Sequence, residues 1–218
     1  MSEENTDGFD LSTEEARVLG VLIEKSYTTP DQYPLSLNAL TTGCNQLTGR
    51  DPVMSLDDAT VADAVESLQS RGLVGRREGA RVIKYEQLVR LRHSLPPAEQ
   101  ALLALLMLRG AQTAGELRTR AERMHRFDDV SAVQSALEHL EEKYPPMVIA
   151  LPRAPGTKET RYAHLMCGDV DVDAMMASVS GGGSGTSGGL SARVETLEAE
   201  VAALRAELDA LKASLGEG

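Results

Sequence analysis

Two stretches of this chain are written to nearly the same pattern. GARVIKYEQL at Gly79–Leu88 and GTKETRYAHL at Gly156–Leu165 each place a cation two and five residues after a glycine, then Tyr and Leu. Each reads as a β-strand entered through a glycine turn. A strand that recurs at a fixed distance in a chain of 218 residues restricts the fold to two similar units.

The residues ahead of each strand repeat as well. LSTEEARVLGVLIEKSY opens the first unit, with Ser12 or Thr13 as cap, Glu14 and Glu15 at the positive end of the helix dipole, and Val18, Leu19, Leu22 and Ile23 on one apolar face. LPPAEQALLALLMLRGAQT opens the second, where Pro96 and Pro97 suit a helix start and Leu102, Leu103, Leu106 and Met107 fall at the same offsets. A second helix is predicted over 35–47 and 113–125, and a third over 57–70 and 130–143, the latter pair marked by Val61, Val65 and Leu68, then Val133, Leu137 and Leu140. A short strand, GLVGRR or MVIALPR, precedes each turn and closing strand. Three helices and a hairpin, written twice, give a mainly α fold with small β-hairpins (α+β): two tandem winged helix-turn-helix domains over 11–93 and 94–168, after a disordered acidic N-terminus at 1–10. Trp is absent and aromatics are 3% of residues, so the core must be aliphatic.

Residues 169–189 read as a flexible linker containing GGGSGTSGG at Gly181–Gly189. Beyond it Leu190, Val194, Leu197, Val201, Leu204, Leu208 and Leu211 alternate spacings of four and three, predicting a parallel dimeric coiled coil over 190–215. Val194 and Val201 at a with Leu at d suit two strands, and g residues Arg193, Glu200 and Glu207 oppose e residues Glu198, Arg205 and Lys212 of a second copy. An amphipathic helix docking on its own chain would not need those matched charges. The expected partner is therefore another copy of this chain.

Several stretches resemble the YceH family of bacterial proteins: TTPDQYPLS at Thr28–Ser36, CNQ at Cys44–Gln46, RDPVM at Arg50–Met54, RVIKYEQ at Arg81–Gln87, LRGAQTAGELR at Leu108–Arg118 and PGTKETRYAHL at Pro155–Leu165. The likeness covers about residues 11 to 168. It implies a tandem winged-helix fold and carries no established activity. Leu47, Gly49 and Ala114 stand where the family pattern has lysine, asparagine and proline, and the first of these removes a cation from a helix-turn-helix.

The net charge of −11 disfavours indiscriminate binding to phosphate backbones. A winged helix that reads bases presents its third helix to the major groove. Here those helices carry Asp57, Asp58, Asp63 and Glu66, and Asp128, Asp129, Glu138, Glu141 and Glu142, which phosphates repel. The wings differ: between Arg71 and His93 seven Arg and Lys residues face two Glu, an excess of five positive charges. The candidate nucleic-acid contacts are Arg76, Arg77, Arg81 and Lys84 in the first unit and Arg153, Lys158 and Arg161 in the second, and Arg118, Arg120, Arg123 and Arg126 add cations on the second helix of that unit. Such residues could hold phosphates or a minor groove, or simply solvate edge strands. Tyr85 and Tyr162 could stack on bases, but strand alternation favours packing on the first helix.

Two function classes follow. One is a dimeric, transcription-regulator-like factor touching DNA through its wings. The other is a protein–protein adaptor using its acidic winged-helix surfaces, without direct DNA contact, as tandem winged helices are in chromosome-segregation and endosomal-sorting complexes, an analogy of fold alone. For an adaptor the candidate contacts are Gln32 and Tyr33 in the individual loop TTPDQYPLS, whose other reading is a rigid connector ending in a Ser36 cap. No enzyme is expected. Cys44 reads as a small buried thiol, His164 and Cys167 lack a second ligand pair for a metal, and no phosphate-cradling glycine motif follows a strand. No cofactor is expected. No run is apolar enough to span a membrane and the N-terminus is acidic rather than signal-like, so a cytoplasmic protein is expected.

Overall fold

The first helix, α1 (Thr13–Thr28), begins at a capping box: Ser12 Oγ accepts from the Glu15 N–H at 3.1 Å while Glu15 Oε2 accepts from the Ser12 N–H at 2.8 Å. The computed structural model describes residues 9–78, 82–153, 159–168 and 170. All of them belong to one compact unit, Met1–Val172. The predicted linker glycines, the coiled coil and its seven seam residues, and most of the acidic N-terminus lie outside the described residues.

After α1 come β1 (Leu35–Ser36), α2 (Leu37–Cys44), α3 (Asp58–Ser70) and a hairpin of β2 (Val74–Glu78) and β3 (Ile83–Gln87). A short α4 (Val89–His93) leads into α5 (Pro97–Arg109), β4 (Gln112–Thr113), α6 (Ala114–Ala121), α7 (Val130–Glu141), β5 (Val148–Ala150) and β6 (Arg161–His164). The strands form two antiparallel three-stranded sheets, ordered β1-β3-β2 and β4-β6-β5. In the first, Leu35 pairs with Tyr85 and Ser36 with Lys84; in the second, Gln112 pairs with Tyr162 and Thr113 with Arg161. Residues 35 to 112 and 85 to 162 are the same step of 77, so the duplication extends from sequence to register.

The second helices are shorter than their periodicity predicts. Leu35 and Ser36 join a sheet instead, and Ser36 then caps α2 by accepting from the Ala39 N–H. Thr113 does the same for α6, in a capping box with Glu116. At the other end of α2, Asn45 leaves the helix to bind the Leu56 backbone in both directions, each at 2.7 Å. The 45–57 loop is thereby closed at its base.

The apolar faces predicted for α1 and α5 understate their burial. Residues Glu15–Ile23 of α1 and Glu99–Leu108 of α5 are buried on every side, because the two helices pack on each other as well as on their own units. Gly20 permits that approach: a Cβ there would stand 3.0 Å from Leu108 Cγ. The buried aliphatic residues of both halves form one cluster.

Candidate functional site

Antiparallel partners share a sheet face, so the registers decide which hairpin residues meet solvent. Arg77 pairs with Lys84, and Ser36 flanks Lys84 on its other side; these make the outer face of the first sheet. Arg76 pairs with Tyr85, whose other neighbour is the buried Leu35, so it stands on the inner face of the sheet, where its side chain is 50% exposed. Tyr85 and Tyr162 both pack against the core, as alternation predicts.

The hairpin cations are not equally available. Arg77 donates from Nε to Glu86 Oε1 at 2.6 Å, and that carboxylate raises its pKa. Arg76 lies 3.7 Å from Glu78. Lys84 has no hydrogen bond or ion pair among the described residues. In the second sheet Arg153 donates to Thr160 Oγ1 at 3.2 Å. Arg161 is bound into the scaffold, donating to the Ala111 carbonyl at 2.9 Å and Glu116 Oε2 at 3.1 Å. Arg81 and Lys158 lie outside the described residues.

The acids expected to repel phosphate have local duties. Asp57 and Asp129 cap α3 and α7 by accepting from the Thr60 and Ala132 N–H groups, each at 2.8 Å. Asp58 accepts from the Thr41 hydroxyl, and Glu141 from the Ala150 N–H. Asp63, Glu66 and Glu138 remain exposed.

Of the two loop residues proposed for partner contact, Gln32 is exposed, whereas Tyr33 is used internally. Its hydroxyl accepts from the Gln87 N–H at 2.6 Å, tying the loop to the end of β3, and burial pushes its pKa up to about 12. Cys44 is fully buried, and burial pushes its thiol up to about 12. His164 Nδ1 accepts from the Met166 N–H, while Cys167 Sγ lies toward the Ser12 carbonyl, so the two do not face a common point. Among the described residues no group of three His, Cys, Asp or Glu side chains could hold a metal ion.

Sequence reasoning passed over Arg17 and Arg50, which hold the 45–57 loop. Arg17 Nη1 and Nη2 donate to the Cys44 and Pro52 carbonyls at 3.1 and 2.6 Å. Arg50 donates to the Gly43 and Gly49 carbonyls, to Gln46 Oε1, and through both terminal nitrogens to Glu24 at 3.2 and 2.7 Å. This rigid loop carries Leu47 and Val53, which are 80% and 53% exposed. The spacing within CNQ and RDPVM hinted at a fixed structure but not at where the arginines would point.

The class defined by these features is an internally duplicated α+β protein, each half closing on a small antiparallel sheet. The chain belongs to the family described as "Protein of unknown function, DUF480", whose model matches residues 11–157. It is 65% identical over 182 residues to a UPF0502 protein of Aromatoleum aromaticum, covering 82% of this chain and 80% of that one. A UPF0502 protein of an Azoarcus species is 63% identical over 182 residues, with 81% and 80% covered. One from Leptothrix cholodnii is 55% identical over 175 residues, with 80% and 78% covered. No helix among the described residues is long and apolar enough to cross a membrane.

Proposed function

We propose that the chain is a non-catalytic, cytoplasmic tandem winged-helix protein of the YceH type, with wing domains over 11–93 and 94–168. In this reading it dimerises through 190–215 and holds duplex DNA mainly through its wings. The observation that carries the reading is the outer face of the first sheet, where Arg77 and Lys84 stand side by side across the strands and, among the described residues, only Arg77 has a carboxylate partner. Cations presented this way suit phosphate contact without base reading. Binding to random duplex DNA, measured at about 50 mM and about 150 mM salt, should be present at the lower and much weaker at the higher. Changing Arg76, Arg77 and Arg81 to Glu should abolish it. Absence of binding by the unchanged protein even at low salt removes the proposal.

A second reading, a protein adaptor, is favoured by a separate observation. The 45–57 loop is held by two buried arginines and presents Leu47 and Val53 to solvent. Capture of the tagged protein from its native cell, with and without nuclease, separates the two. Partners lost on nuclease treatment support DNA, while partners that survive nuclease and vanish with Leu47→Asp support the adaptor.

A further inference from the structure

The turn between α5 and β4 gathers guanidinium groups from both halves. Arg109 ends α5, and its Nη2 lies 3.0 Å from where a Cβ would stand on Gly49, so the 45–57 loop passes directly against it. Arg50 follows in that loop and donates to the Gly49 carbonyl at 2.9 Å, while the Asp51 N–H donates to the Leu108 carbonyl at 2.9 Å. Arg120 reaches the same turn from α6. Its Nη1 donates to Gln112 Oε1 at 2.6 Å, and Gln112 Nε2 donates onward to the Leu105 and Gly110 carbonyls at 3.0 and 3.2 Å.

Two of the nearby acids, Glu24 and Glu116, are already engaged, and Asp51 is exposed. Glu24 takes both terminal nitrogens of Arg50 and also faces Lys25 at 3.1 Å. Glu116 is shared among the Thr113 N–H, Arg161 and, at 3.7 Å, Arg120. Arg109 is left with no hydrogen bond or ion pair among the described residues. It is half-buried, yet none of its nitrogens is sealed from solvent. Burial first, then the charges of Arg120 and Arg50, hold its pKa below the ordinary value, with Glu24 acting in the opposite direction. The carbonyl end of α5 favours one cation nearby but does not call for three. A partly desolvated cation among like charges, with no protein acceptor among the described residues, is one that an anion would stabilise.

We propose that Arg109, with Arg120 beside it and the Gly49–Arg50 backbone behind it, is a seat for a phosphoryl-type oxyanion. A guanidinium fork with two free donors matches two oxygens of such a group. The seat does not rest on the wing reading, since Arg77 and Lys84 take no part in it.

The test is calorimetric titration of the full chain with inorganic phosphate at constant ionic strength set by chloride. Saturable binding is expected, weakened roughly tenfold or more by Arg109→Gln and less by Arg120→Gln, and unchanged in Arg77→Glu. Arg109→Gln should melt no lower than the parent without phosphate, because it removes an uncompensated charge. Arg109→Lys keeps the charge and loses the fork; it should melt like the parent and bind phosphate several-fold more weakly. No saturable binding by the parent, or parental affinity in both Arg109 variants, overturns the proposal. Displacement of phosphate by a duplex oligonucleotide assigns the seat to nucleic-acid phosphates, and failure to displace assigns it to a small phosphorylated solute; both outcomes uphold the seat.

Discussion

Replacing Arg50 with Met should be among the most damaging single changes to this fold. The Arg50 side chain is fully buried and makes five hydrogen bonds, two of them to the Glu24 carboxylate, whose side chain is only 19% exposed. Met supplies similar apolar volume but leaves that carboxylate with Lys25 alone, a loss of about 3–5 kcal/mol for breaking a buried pair from one side. In a domain of this size each kcal/mol moves the melting temperature by about 2–4 °C, so a fall of roughly 8–16 °C is expected for a mid-range loss. The pH dependence adds a sharper test. Burial alone would raise the Glu24 pKa, but the hydrogen bond and charge of Arg50, helped by Lys25, outweigh it and the net shift is downward. A carboxylate with a depressed folded pKa stabilises above its unfolded value, about 4.3, and that contribution is lost as pH falls through the folded value. Without Arg50 only burial and Lys25 remain, so Glu24 in the variant should be easier to protonate. The difference in stability between parent and variant should therefore shrink as the pH is lowered toward about 4. Urea unfolding at pH 7 and pH 4, on Arg50→Met, Glu24→Gln and the double variant, measures both effects. A loss under about 1 kcal/mol at pH 7, or additive single variants, would refute the account of Arg50 as the paired anchor of the 45–57 loop.

Three other outcomes are expected. Tyr33→Phe should cost about 1–2 kcal/mol in urea unfolding, because the Gln87 N–H loses its acceptor; an unchanged stability would return Tyr33 to the pool of partner contacts. Gly43→Ala places a Cβ 2.7 Å from Val21 Cγ1, a stiff and fully buried neighbour, so crowding of about 1–3 kcal/mol should exceed the roughly 1 kcal/mol gained in helix propensity. With a chromogenic disulfide reagent, native protein should expose only the Cys167 thiol. Its reaction should be slow near pH 8 and faster as pH rises, since burial and then Glu15, Glu14 and Asp10 push it up to about 11; Cys44 should react only after unfolding.

Much of the local structure is written in the chain. Ser12 and Glu15 cap α1, Ser36 and Thr113 cap the second helices, and Asp57 and Asp129 cap the third, all through bonds spanning three residues. Apolar spacing placed the helices, and the recurring Gly, Tyr and Leu placed the closing strands. These features depend on neighbours a few positions away, which sequence keeps in view. The second helices were overread at their starts because Leu35, Ser36 and Thr113 have strand partners about fifty residues distant, and at their ends because α2 stops at Cys44 and α6 at Ala121.

The sequence by itself determined the duplication, the order of three main helices and a closing hairpin in each half, the aliphatic core and the inward-packed tyrosines, because each follows from periodicity and short-range hydrogen bonding. Only the tertiary structure decided that α1 and α5 are buried all round, that Arg161 belongs to the scaffold, and that Arg17 and Arg50 hold a loop presenting Leu47. It also decided that Arg109 stands among like charges without a partner among the described residues. An arginine is one letter wherever it falls; whether it is solvated, paired or stranded depends on carboxylates and carbonyls that folding brings from far along the chain.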